Sequence, residues 1–259
     1  MSDDDAGQRA ADPLRLPRGK AASVLAALAL YAGVWAGADA ARDLAAGGHD
    51  PGSWQAASVH HLAQLMLGLL LIGWVGRGRW AAFGLTLANR RTSWHLLTRG
   101  FFPVLLVSLL LGHALLPVLT GDPPARFSDG VPSGADLAGD LLFALVIVGV
   151  SEEVVFRGLL HTTLARGWLG TTSLLGVAVP VAGLWSAALF MVAHIGVAGW
   201  PLQITHFDPR QLLLAFVLGV YYAVAYHRTG SLLAPVVAHN AVDGGILVVE
   251  AAVAAATAS

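Results

Sequence analysis

The chain has 259 residues, 56% of them hydrophobic and only 12% charged, and its 15 basic and 16 acidic side chains leave a formal net charge of −1. A water-soluble domain carries about twice that charged fraction, and a net charge this small gives no basic field for nucleic acid. With no cysteine, disulfides, thiolate metal sites and a cysteine nucleophile are excluded.

Residues 1–19 are polar and contain proline, which predicts a disordered tail. No signal-peptide cleavage site follows, so the first apolar stretch is read as a retained span. Seven apolar segments stand out, at roughly 21–38, 56–75, 101–119, 136–165, 172–198, 211–226 and 232 to the C-terminus. Several approach the ~20 residues that cross a ~30 Å hydrocarbon core. Between the second and third, residues 76–99 mix Trp80, Phe83 and Trp94 with several arginines, a pattern that suits a helix lying in the interface. A Gly/Pro/Asp loop is expected over 120–134. Pro180 should interrupt the fifth segment. The chain divides into the tail, N-terminal spans with the interfacial helix (20–135), and a C-terminal helix bundle (136–256). There is no internal repeat. The expected fold is an all-α, polytopic membrane bundle of about seven spans.

The basic residues alternate between loops. Arg9, Arg15, Arg18 and Lys20 precede the first span, Arg77, Arg79, Arg90, Arg91 and Arg99 lie between the second and third, Arg166 follows the fourth and Arg228 the sixth. The other loops carry Asp43, Asp50, Asp122 and Asp129. The positive-inside rule therefore places the N-terminus in the cytoplasm and the C-terminus outside. The Ala, Gly and Arg richness hints at a GC-rich, bacterial genome, and the setting is then the plasma (inner) membrane.

An ionisable side chain inside a span is costly and is a functional hypothesis by default. Three groups qualify: Glu152, Glu153 and Arg157 in the fourth segment, His194 in the fifth, and His239, Asn240 and Asp243 in the seventh. Glu153 and Arg157 are four apart and share a helix face. Glu152 is rotated by about 100° from Glu153. Arg157 is therefore expected to hold Glu153, leaving Glu152 to face a cavity as a general base for water. Phe190 lies one turn before His194, where it can shape the pocket wall. His239 and Asp243 also share a face. Two imidazoles with carboxylates can bind a divalent metal, or they can polarise a scissile carbonyl and its oxyanion directly. The residues alone leave both open.

Each feature also has a plainer reading. A lone Glu–Arg pair can be a structural salt bridge, and His113 a packing residue. His60, His61, His206 and His227 sit near span ends and are expected at the interface, with His161 at the cytoplasmic edge and Glu250 reaching water. Joint occurrence on three segments favours a site. There is no His-Glu-x-x-His, Gly-x-Ser-x-Gly, Walker loop or Gly-x-Gly-Asp.

The ordered set Glu-Glu-x-x-x-Arg, Phe-x-x-x-His and His-x-x-x-Asp resembles the CPBP family of intramembrane metalloproteases, the CAAX prenyl endopeptidases and bacteriocin-processing or immunity (Abi) proteins. It covers residues 136 to 250. The resemblance implies a helical bundle with a polar cavity open to the cytoplasm. Glu152 would be the base, Glu153 and Arg157 would complete the first motif, and His194, His239 and Asp243 would supply the others. It implies a divalent metal, with zinc a candidate and His194, His239, Glu152 and Asp243 as ligands. Many members have Asn where this chain has Asp243. The expected activity is a glutamate-dependent endopeptidase acting on membrane-associated or lipidated peptides, with the bilayer as partner. The alternatives are a non-catalytic immunity or scaffold protein and a proton-coupled transporter; the missing inverted repeat speaks against the latter. One geometric condition follows. Counted from Thr172, His194 lies near the outer side, whereas a helix starting after Pro180 puts it about 18 Å deep, where the three groups can meet. A break near Pro180 is therefore predicted, with residues 168–180 interfacial.

Overall fold

The computed structural model describes residues 14–45, 53–120, 127, 130–132, 134–198 and 203–257. Most of the expected tail and of the 120–134 loop lies outside these residues.

The described residues form seven principal helices. We label them α1 (Lys20–Ala45), α2 (Trp54–Gly76), α3 (Arg90–Thr120), α4 (134–165), α5 (Val181–Val192), α6 (Pro209–Thr229) and α7 (Leu233–Thr257). Five of them, α1, α2, α3, α6 and α7, are long and apolar enough to cross a membrane. The expected all-α membrane bundle is present. In lipid every backbone group must find an internal partner, and continuous helices provide that.

Local chemistry sets the helix ends. The Ser53 hydroxyl accepts from the Ala56 amide at the start of α2. At the start of α6 the Asp208 carboxylate accepts from the Arg210 amide, with Pro209 in the first turn. Gly230, at φ 63°, terminates α6 in the left-handed region.

Two expectations change. Residues 76–99 are not one interfacial helix. A short 3₁₀ turn (Trp80–Phe83) is followed by α3, which already begins at Arg90, eleven residues before the expected third span. Arginine and tryptophan at its start hide the helix from a hydropathy reading, although such residues are compatible with the interfacial end of a span. The fifth segment is not a single helix either. A hairpin of β1 (Thr171–Leu174) and β2 (Val177–Pro180) turns through Leu175 and Gly176, both at positive φ. α5 then starts at Val181, with Pro180 extended at its N-cap, so the predicted break falls at Pro180. A second hairpin, β3 (Gly196–Ala198) with β4 (Gln203–His206), follows α5.

The core lies around the middle of α4, where Val154, Val155, Phe156, Leu159 and Leu160 are buried against side chains of α1, α2, α5 and α6. α5 packs closely on α6. A Cβ at Gly219 of α6 would stand 3.1 Å from the Ala187 Cβ of α5 and 3.2 Å from Arg157 Nη2. The absent side chain is what lets two helices and a guanidinium share that space. α3, by contrast, presents Val104, Leu106, Leu110 and Leu111 outward, as a lipid-facing helix does.

Candidate active site

Glu153 and Arg157 form the ion pair that their spacing predicts: Arg157 Nη1 donates to Glu153 Oε1 at 2.9 Å, and both side chains are fully buried. The pair is part of a larger assembly. Arg157 Nη2 donates to the Gly219 carbonyl at 3.1 Å. The guanidinium lies 4.6 Å from the Phe190 ring centre and 5.1 Å from that of Tyr222, a cation–π contact on two sides. α4 passes through wide π-type turns over Phe143–Ile147 and Val154–His161, either side of the acidic pair. Such turns are common at functional sites.

The same Glu153 Oε1 lies 2.9 Å from His239 Nδ1 of α7. The carboxylate accepts there, so Nδ1 carries a hydrogen. The other ring nitrogen, Nε2, faces Glu152 Oε2 at 3.5 Å and Asp243 Oδ2 at 3.4 Å. Two carboxylate oxygens facing an unprotonated nitrogen would set lone pair against lone pair. The arrangement therefore calls for a proton shared among Nε2 and the two carboxyls. Tyr222 stacks nearly parallel on the His239 ring (14°, centroids 5.2 Å apart) and Phe190 meets it edge-on at 5.6 Å. Both aromatic rings hold the imidazole.

His194 departs from expectation in one respect. It was placed inside the fifth span, but α5 ends at Val192, and His194 sits in the turn beyond it. Its Nδ1 donates to the Phe190 carbonyl at 2.8 Å, and its ring meets Phe190 edge-on at 4.8 Å. It remains part of the cluster. A cavity of about 200 Å³ is lined by Phe190, His194, Gln211, Tyr222, His239 and Asp243. Glu152 does not line this cavity; it reaches the wall at His239. All three predicted groups therefore meet.

Other ionisable residues gain partners far along the chain. His61 Nδ1 lies 2.9 Å from Ser151 Oγ and 4.0 Å from Glu152 Oε1. His60 is buried and pairs with Asp39 of α1 at 3.0 Å. His161 is buried against Tyr226. Glu250 does not simply reach water, since its Oε1 meets His113 Nδ1 at 2.9 Å. Asn240 Oδ1 accepts from the Gly149 amide at 2.9 Å and fastens α7 to α4. Tyr222 carried no sequence signal. His61 carried only its pairing with His60, because its partners lie 90 residues away.

Among the described residues, no three or more His, Asp or Glu side chains form a group placed to hold a metal ion. Of the expected ligand set, His194, His239 and Asp243 line one cavity and Glu152 faces His239.

Residues 134–245 match the model of the family described as type II CAAX prenyl endopeptidase Rce1-like. The match agrees with the CPBP/CAAX-protease resemblance of the motifs, and all six motif residues lie inside it. No curated protein and no solved structure matches the chain.

Proposed function

We propose that this protein, whose residues 134–245 carry the CAAX-protease-like segment, is a glutamate-dependent intramembrane endopeptidase that hydrolyses a peptide bond in membrane-associated or lipidated peptides. One observation carries the reading: Arg157 is committed to Glu153, which leaves the Glu152 carboxylate to face His239 on the cavity wall. In this mechanism a water between Glu152 and the scissile carbonyl gives a proton to Glu152 and attacks the carbonyl carbon. The hydrogen at His239 Nε2 meets the developing oxyanion, and His194 lines the cavity beside it. The proton then passes to the leaving amine as the C–N bond breaks. Glu153 and Asp243 keep the His239 ring in register, and Arg157 holds Glu153 in place. The proposal puts the N-terminus on the cytoplasmic side of the plasma membrane, a reading that the loop charges support.

The donor types suit a divalent ion such as zinc. Because no three are placed as a ligand group, the proposal assigns the chemistry to the side chains. Metal analysis of the purified protein is the check, and a stoichiometric metal lost in His239→Ala would overturn that assignment. The peptidase reading is tested with protein in lipid bilayers and a fluorogenic lipopeptide. Glu152→Ala is expected to lower kcat by about 10²–10⁴-fold with an unchanged melting temperature. Equal activity in both proteins rejects the assignment.

A further inference from the structure

The matched segment begins at residue 134, yet one imidazole at Glu152 comes from α2. Glu152 projects its two oxygens toward different helices. Oε2 faces His239 of α7 at 3.5 Å, and Oε1 faces His61 of α2 at 4.0 Å. The Ser151 hydroxyl donates to the Val148 carbonyl at 2.8 Å, so at Ser151 Oγ it is His61 Nδ1 that donates, at 2.9 Å. This fixes the His61 tautomer with its hydrogen on the side of Ser151 and Glu152.

The ring is held from behind. Phe143 of α4 meets it edge-on at 5.1 Å and His60 at 5.2 Å. His60 Nδ1 in turn lies 3.0 Å from Asp39 Oδ1 of α1, which Arg42 binds at 3.0 Å. The chain of contacts runs from the surface end of α1 to the carboxylate.

We infer that His61 is a positioning residue for Glu152: donating to Ser151 and flanking Glu152 Oε1, it sets the carboxylate's orientation, so the N-terminal helix pair α1–α2 completes the site. The inference rests on Glu152 as the base. His61 acts through Ser151 and Glu152 and need not touch substrate.

The test compares His61→Ala with His61→Asn, whose amide N–H occupies the position of Nδ1–H, and with His61→Gln, whose amide reaches the Nε2 position instead. Full-length protein in bilayers is assayed for kcat and KM on the fluorogenic lipopeptide. In parallel, the rate of Glu152 modification by a hydrophobic carbodiimide is followed by mass spectrometry. His61→Ala is expected to lower kcat by on the order of 10²-fold, as misplacement of a reacting group does, with KM unchanged. It should also alter the rate of Glu152 modification. His61→Asn is expected to restore both and His61→Gln neither; exposed His95→Ala serves as the control. Loss of the same size in Asn and Gln variants, or no loss in His61→Ala, overturns the inference. If His61→Ala does not fold, the Asn–Gln difference decides. If the wild type cleaves no peptide, the peptidase reading fails, and the carbodiimide rates alone decide the role of His61.

Discussion

His239 meets Glu153 at 2.9 Å and His113 meets Glu250 at the same distance, yet the two histidine–carboxylate pairs sit in different settings. Side-chain exposure is 6% and 0% for the first pair but 32% and 17% for the second. Glu153 is also bound by Arg157, and His239 is enclosed by Tyr222, Phe190, Glu152 and Asp243. His113 and Glu250 instead join α3 to α7 beside an apolar groove lined by Phe101, Val104, Leu105 and Leu109. A short distance alone does not mark a site. What distinguishes the first pair is that every polar member has a second polar neighbour, so that displacing one moves the others.

The comparison can be broken by removing charge from each setting. Arg157→Ala leaves Glu153 buried with no cation opposite it. The expected cost is about 3–5 kcal/mol, read as a lowered unfolding midpoint, together with loss of peptidase activity. An unfolding midpoint equal to wild type would mean that the buried network is not cooperative.

An intermediate effect is expected at the fastening of α4 to α7. A Cβ at Gly149 would collide with the Asn240 amide that accepts from the Gly149 amide, and would approach His239 Cβ to 3.0 Å. Gly149→Ala should destabilise by about 1–3 kcal/mol and lower kcat through His239. Asn240→Ala alone should do less, because it opens space rather than filling it. A stability loss from Asn240→Ala that matches Gly149→Ala would sink this account.

The smallest effect belongs to the second pair. Replacing His113 and Glu250 together by leucine exchanges a partly exposed ion pair for apolar packing, which is often neutral or stabilising. Unfolding midpoint and kcat should both stay at wild-type values. A drop in kcat would join this pair to the site and erase the distinction.

Much of this was legible along the chain because it depends on short-range spacing. The Glu153–Arg157 contact follows from a four-residue step on a helix, and so does the shared face of His239 and Asp243. The break at Pro180 follows from a fixed φ and a missing amide hydrogen. The start of α3 at Arg90 was hidden because a hydropathy reading ends a span at charged residues, whereas a helix continues into the interface. The placement of His194 just beyond α5, rather than within it, could not be read from its apolar surroundings.

The sequence by itself determined that the chain is a membrane helix bundle and which helix faces carry its ionisable residues, because burial in lipid and helical periodicity act locally. Only the tertiary structure decided that Glu153 serves Arg157 and His239 at once, that Tyr222 backs the imidazole, and that His61 reaches Glu152 from α2. Each of those contacts joins residues far apart in the chain, and their distance is set by how the helices pack rather than by any spacing within one of them.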